Sequence, residues 1–185
     1  MDERDLENRV IKDISSGDED AFKELYEATC KKVFGYLYRL TNNQQMAEDV
    51  LIETYTEVWK SAKKYKGHSK VLTWIIGIAR NLAMSEFRKS KTREYDITEN
   101  IAYTQNQFLD CAESETLHIL KGALNLLPVK HREVLDLVFL HGMRYEDISK
   151  ITAIPLNTVK TRVFYAKEKL KNILKAMGFV RDDLL

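Results

Sequence analysis

The sequence predicts an all-α protein of two small helical domains joined by a flexible linker. Three observations predict it. Apolar residues recur three and four positions apart along most of the chain, the period of an amphipathic helix rather than of a strand. The 185 residues include only 7 Gly and 2 Pro, so helices meet few breakers. The periodicity fades between Ser90 and Ala112, where Thr, Asn, Gln and acids dominate, and that stretch divides the chain. The expected boundaries are 1–92 for the first domain, 93–112 for the linker and 113–185 for the second domain.

Taken in order, Leu6, Val10 and Ile14 stand four apart on a short first helix, which Ser15-Ser16-Gly17 ends. Asp18 is placed to cap the second, from Ala21 to about Leu40, whose apolar side is Phe22, Leu25, Tyr26, Val33, Tyr36, Leu37 and Leu40. Thr41-Asn42-Asn43 breaks the pattern. The third helix runs from about Gln44 to Lys63 on a stripe of Ala47, Val50, Leu51, Thr54, Val58 and Ala62. Its other face crowds Glu48, Asp49, Glu53 and Glu57 without lysines four residues on to pair with them. Such a face is either simply solvated or a dock for a basic partner.

Tyr65-Lys66-Gly67-His68-Ser69-Lys70 reads as a loop. A fourth helix follows from Val71 to about Lys89, with Val71, Trp74, Ile75, Ile78 and Leu82 inward and Arg80, Asn81, Arg88 and Lys89 elsewhere. Aromatic, basic and amide groups around a loop are what single-stranded DNA recognition uses. A tryptophan at helical spacing is more often a core residue than a base platform, and Trp74 is read so. Beyond the linker, Leu117, Leu120, Ala123, Leu124 and Leu127 mark a helix ending before Pro128. Another runs from Val129 to Leu140 with Val134, Leu135, Val138 and Phe139, and Gly142 is placed to stop it.

The stretch Tyr145–Lys167 reads as two helices joined by a tight turn at Ala153-Ile154-Pro155. The first carries Ile148 and Ile151. The second carries Val159, Val163, Ala166 and Leu170 as one apolar stripe and continues to Met177, with Gly178 as its stop. Asn157 or Thr158 is positioned to cap it. The opposite face then shows Asn157, Lys160, Thr161, Phe164 and Tyr165, with Arg162 and Lys167 on the flanks. That is a helix-turn-helix whose second helix offers donors to a DNA major groove. A helical hairpin with a solvated basic face is the alternative.

The net charge of +1 hides a strong order. From Gly67 to Arg93 six cations (Lys70, Arg80, Arg88, Lys89, Lys91, Arg93) face Glu86 alone. From Glu94 to Leu120 there are six acids (Glu94, Asp96, Glu99, Asp110, Glu113, Glu115) and no Lys or Arg. From Arg144 to Lys175 cations outnumber acids eight to three. Two basic zones with an acidic segment between them point to two nucleic-acid contacts and a tether that adheres to neither. No apolar run approaches the roughly 20 residues a bilayer span needs, and Met1-Asp2-Glu3-Arg4 is not read as a signal peptide, so no membrane insertion is expected. Cys30 and Cys111 have neither metal nor redox spacing and are read as reduced cytoplasmic thiols. No nucleophile-base arrangement, metal cluster or Gly-rich phosphate loop is visible, so neither catalytic chemistry nor a cofactor is expected. His68, His118, His131 and His141 are scattered and read as solvent or packing residues.

Two blocks carry a family resemblance. AEDVLIETYTEVWK (Ala47–Lys60) followed by TWIIGIARNLAMSEFRK (Thr73–Lys89) is similar to the second conserved region of the bacterial RNA polymerase sigma factors. LNLLPVKHREVLDLVFLHGMRYEDISKITAIPLNTVKTRVFYAKEKL (Leu124–Leu170) is similar to their fourth region. Blocks in this order, with no room for the further domains of the large housekeeping factors, resemble the short extracytoplasmic-function class. The resemblance implies a cytoplasmic factor that binds core RNA polymerase, at the beta-prime clamp helices and the beta flap, and directs initiation at promoters. It also implies a stress or envelope regulon and an anti-sigma factor as regulator. Asp49, Ile52 and Glu53 fall at the polymerase contact. Tyr65, Lys66, Lys70, Arg80, Asn81 and Arg88 fall where the family meets the minus-ten element, duplex or single-stranded. Asn157, Thr158, Lys160, Thr161, Arg162, Phe164 and Tyr165 fall where it meets the minus-thirty-five element. The chain departs from the family pattern at Ile52, usually Gln, at Asn157, usually Gly, and at Tyr165, often Arg. The rival function is a stand-alone helix-turn-helix regulator binding duplex DNA unaided.

Overall fold

A computed structural model describes residues 3–93 and 115–179. The expected linker beyond Arg93, with Cys111, lies outside them, as do the side chains of Leu117 and His118. Among the described residues there are eight α-helices and no strand: α1 (Glu3–Ser15), α2 (Glu19–Thr41), α3 (Gln44–Ser61), α4 (Val71–Arg93), α5 (Glu115–Asn125), α6 (Val129–Leu135), α7 (Tyr145–Thr152) and α8 (Leu156–Ala176). By contacts the chain forms two compact units, Met1–Arg93 with Glu146–Ala153, and Glu94–Tyr145 with Ile154–Leu185.

In the first unit α2 packs on α3 and α4, α3 on α4, and α1 on α2. Val33, Tyr36 and Leu37 from α2, Ala47, Val50 and Val58 from α3, and Ile75, Ile76, Ala79 and Ala83 from α4 are almost wholly buried between them. The helix ends are made locally. Asp18 Oδ1 accepts from Ala21 N–H at 2.9 Å and Asn43 Oδ1 from Met46 N–H at 2.9 Å, each satisfying a donor that the first turn leaves free. Asn42 closes α2 in the left-handed region at φ +51°, which Asn tolerates better than most residues. Two inward faces differ from expectation. On α1 the buried residues are Ile11 and Ile14, while Leu6 is 52% exposed. On α4 the innermost stripe is Val71, Ile75, Ile76, Ala79 and Ala83, and Ile78 and Leu82 lie half-buried at its edge. Small alanines carry no strong hydropathy signal, yet they are what lets neighbouring helices approach.

In the second unit α5 and α6 both pack on α8, enclosing Ala123, Leu127, Val134, Leu135 and Leu137 against Val159, Val163, Ala166 and Leu170. The helix expected over 129–140 is regular only to Leu135. It then widens into a π turn over Asp136–Leu140, where His141 N–H reaches back five residues to the Asp136 carbonyl at 3.2 Å. That shift turns Phe139 outward, 58% exposed rather than packed as expected. Gly142 follows at φ +59°. At the other end of the unit, Gly178 at φ +81° lets Phe179 N–H bond the Leu174 carbonyl at 2.9 Å, the left-handed stop that the sequence placed there.

Candidate nucleic-acid interface

The apolar stripe of α8 fixes which side remains free. Val159, Val163, Ala166 and Leu170 are all buried, and Asn157, Lys160, Thr161, Phe164 and Tyr165 are all exposed. Arg162, Thr158 and Lys167 are half-buried on the flanks. Phe164 and Tyr165 stand 60% and 58% exposed with their rings edge to face, centroids 5.5 Å apart. Large aromatics left in water on a helix whose far side is fully packed mark a contact surface rather than a core. Thr161 Oγ1 donates back to the carbonyls of Asn157 and Thr158, at 3.0 and 3.1 Å. Its one hydroxyl proton is therefore engaged, and it presents a methyl group and an acceptor oxygen. Lys167 Nζ lies 5.0 Å above the Phe139 ring, which orders one flank.

The expected side-chain cap does not form. α8 begins at Leu156 behind Pro155, with no side-chain cap, so Asn157 and Thr158 lie within its first turn. Proline sets the entering backbone and has no N–H to satisfy, which frees the Asn157 side chain from capping. The preceding turn is made by Ala153 at φ +55°.

On α3 the exposed side carries Asp49, Ile52, Glu53 and Thr56, one helical turn apart, with Ile52 at 69%. Two of the four acids of this helix, Glu48 and Asp49, have partners on the turn before them. Gln44 Nε2 donates to Glu48 at 2.9 Å and Gln45 Nε2 to Asp49 at 3.2 Å. Glutamine four residues earlier does what the absent lysine would, without cancelling the charge. Behind this face Tyr55 is buried against Phe22 and Tyr26 and bonds Thr29 Oγ1 at 2.7 Å; burial pushes its hydroxyl up to about 12.

The loop of Tyr65–Lys70 leaves Lys66, His68 and Lys70 exposed. Tyr65 is half-buried. Its hydroxyl donates to the Ser69 carbonyl at 2.5 Å, and its ring lies 5.0 Å from that of Trp74. Trp74 is thus partner to the loop aromatic, half-buried itself, rather than a core residue or an isolated platform. Along α4, Trp74, Asn81 and Arg88 are seven residues apart, a spacing that returns to nearly the same side of a helix every two turns, about 10 Å. Asn81 and Arg88 are exposed. Asn81 therefore continues the face that Trp74 begins. Arg80 is turned about 100° away and is half-buried, with Nη1 3.4 Å from the Ile151 carbonyl inside the first unit.

Of the remaining histidines, His68 is exposed, while His131 is buried with Nδ1 lacking a hydrogen-bond partner. Burial, then the charges of Lys169, Lys130 and Arg162, hold His131 below the usual imidazole range. His141 Nε2 lies 3.8 Å from Asp136 Oδ1, both side chains buried. Among the described residues no group of three His, Cys, Asp or Glu is placed to hold a metal ion, and no helix is long and apolar enough to cross a membrane. Two residues that sequence reasoning missed are Glu7 and Asn8 of α1, which meet the 65–70 loop and the start of α4. Only contacts more than fifty residues apart reveal them.

These surfaces define a helical factor with an exposed polar and aromatic helix face in one unit and an aromatic-basic loop and an acidic helix face in the other. The comparisons make the class specific. Residues 25–93 match the family description Sigma-70 region 2, and residues 117–170 match Sigma-70, region 4. The chain is 31% identical over 151 residues to the ECF RNA polymerase sigma factor SigM of Bacillus subtilis, spanning 80% of this chain and 91% of SigM. It is 28% identical to SigW of the same organism, spanning 89% of this chain and 95% of SigW. Among solved structures, the sigma factor RpoE of Bartonella quintana, in complex with the anti-sigma factor NepR, matches with a TM-score of 0.68 and 26% identity, over 83% of this chain and 96% of that one. The chain belongs to the ECF RNA polymerase sigma factors of the sigma-70 family. It is a transcription initiation factor that directs RNA polymerase to promoters.

Proposed function

We propose that the two halves divide promoter recognition, with residues 1–92 binding core polymerase and the minus-ten element, 113–185 binding the minus-thirty-five element, and 93–112 tethering them. The carrying observation is the exposed face of α8, held in one rotation by Val159, Val163, Ala166 and Leu170. Lys160 and Thr161 lie in the first turns, the part of a recognition helix that enters the major groove. Lys160 donates to guanine acceptors; Thr161 offers its methyl to thymine or its oxygen to an amino edge. Arg162 on the flank meets phosphate. Asn157, Phe164 and Tyr165 complete the surface, with Thr158 at its edge. Asp49, Ile52 and Glu53 dock the beta-prime clamp helices, Ile52 adding an apolar contact between two acids. The second half also meets the beta flap. Tyr65, Lys66, Lys70, Asn81 and Arg88 meet the opened minus-ten strand; Arg80 joins them by leaving its Ile151 contact. The site of action is the cytoplasm, where the polymerase is. The likeness to RpoE, solved with NepR, supports an anti-sigma factor as regulator.

Transcription by the reconstituted holoenzyme from a randomised minus-thirty-five library tests the rotation of α8. Lys160→Ala and Thr161→Ala are expected to re-rank the library, each costing about 1–3 kcal/mol at one position. Arg162→Ala is expected to lower every promoter alike and to flatten the salt dependence. Re-ranking by Arg162→Ala with uniform scaling by the other two would reverse the assignment.

A further inference from the structure

α1 lies wholly before the region 2 match at 25–93, yet it meets the Tyr65–Lys70 loop at both ends and in the middle. At the near end it packs on the short 3-10 turn Ala62–Lys64 that leads into the loop. In the middle, Asn8 Oδ1 stands 3.0 Å from where a Cβ on Gly67 would be, and Gly67 sits at φ +68°. At the far end, Glu7 Oε2 accepts from Val71 N–H at 3.1 Å.

The last contact replaces a missing cap. α4 starts its hydrogen-bond ladder with Trp74 N–H on the Lys70 carbonyl, at 3.1 Å. Lys70 therefore occupies the capping position, and its side chain has no oxygen to offer. The carboxylate that does the work comes from 64 residues earlier in the chain. Its negative charge also suits the positive end of the helix. Tyr65 closes the loop from inside through Ser69, while Lys66, His68 and Lys70 stay exposed. The loop is thus tied at its base and open at its rim.

We infer that Glu7, with Asn8 beside it, is a positioning residue for promoter opening: α1 braces the Tyr65–Lys70 loop in the shape that receives the opened strand. This rests on the reading that the loop meets that strand. A cap local to α4 would fix the helix alone. A cap from α1 fixes the helix and the loop to the same support.

The test uses the full chain with core polymerase on a promoter carrying both elements. Core binding, closed-complex affinity and permanganate reactivity of the melted segment are measured for Glu7→Ala, Glu7→Gln and Tyr65→Ala. Glu7→Ala is expected to lower open-complex reactivity about fivefold, the size of losing one helix cap, with core binding and closed-complex affinity unchanged within about twofold. Glu7→Gln keeps an acceptor oxygen and is expected to recover most of the loss. Parallel losses in all three measurements would overturn the inference, since a residue that only holds the fold together acts that way, and so would Gln behaving as Ala does, since the acceptor oxygen would then not be what Glu7 supplies. Normal opening by Glu7→Ala alongside defective Tyr65→Ala overturns the brace alone. Normal opening by Tyr65→Ala removes the loop reading and the brace with it.

Discussion

Ala153 holds the turn before α8 at φ +55°. In that region a Cβ crowds the following carbonyl, at a cost of about 1–2 kcal/mol that glycine escapes. Glycine in turn loses about 0.5–1 kcal/mol more backbone freedom on folding. Ala153→Gly is therefore expected to raise stability by about 0.5–1 kcal/mol, read from urea unfolding; a loss of stability would contradict the strain. His131 carries a pH dependence. Its folded pKa lies below the ordinary 6.5 because burial, then Lys169, Lys130 and Arg162, disfavour the charged form. The unfolded chain takes up a proton as pH falls through about 6.5 while the folded chain resists. Its contribution is complete above that pH and is lost below it. The urea midpoint of the wild type is expected to fall between about pH 7 and pH 5.5, and that of His131→Leu to fall less. Equal slopes would remove His131 as the cause.

At the scale of elements, α3 presents Asp49 and Glu53 to solvent on either side of Ile52. Asp49 bonds Gln45, a neighbour on its own helix, at 3.2 Å, so charge reversal touches no core contact. Asp49→Lys with Glu53→Lys is expected to change stability by no more than about 1 kcal/mol while abolishing co-purification with core polymerase. Retained co-purification would move the dock elsewhere. This face was legible in the sequence because apolar period and acid clustering both point the same way. So was α8, where Val159, Val163, Ala166 and Leu170 sit on one clean stripe. The π turn at Asp136–Leu140 was not, because a local change from four-residue to five-residue hydrogen bonding leaves no mark on the apolar pattern that precedes it. The entry of α8 behind Pro155 was legible, but its cap was not: Asn157 and Thr158 are good caps by type, yet they lie inside the first turn. The inner face of α4 was blurred because Ala79 and Ala83 contribute packing rather than hydropathy.

At the scale of the whole molecule, 29 cations against 28 acids leave a charge of +1, too little to hold DNA by its phosphates alone. The cations are grouped, and the sequence showed that grouping plainly. What it could not show is how distant segments support each other. Glu7 meets Val71, and Tyr65 turns its ring on Trp74, through the folding of a bundle rather than through any local spacing. On the proposed function, promoter recognition belongs to the complex with polymerase and is divided between two surfaces of this chain. Mapping transcription starts on genomic DNA, with the protein, core polymerase or both, tests it most directly. The account predicts initiation at a discrete set of sites sharing two spaced elements only when both are present, and weak, salt-sensitive duplex binding by the protein alone. Tight sequence-specific binding by the free protein, with no new starts when core polymerase is added, would contradict it.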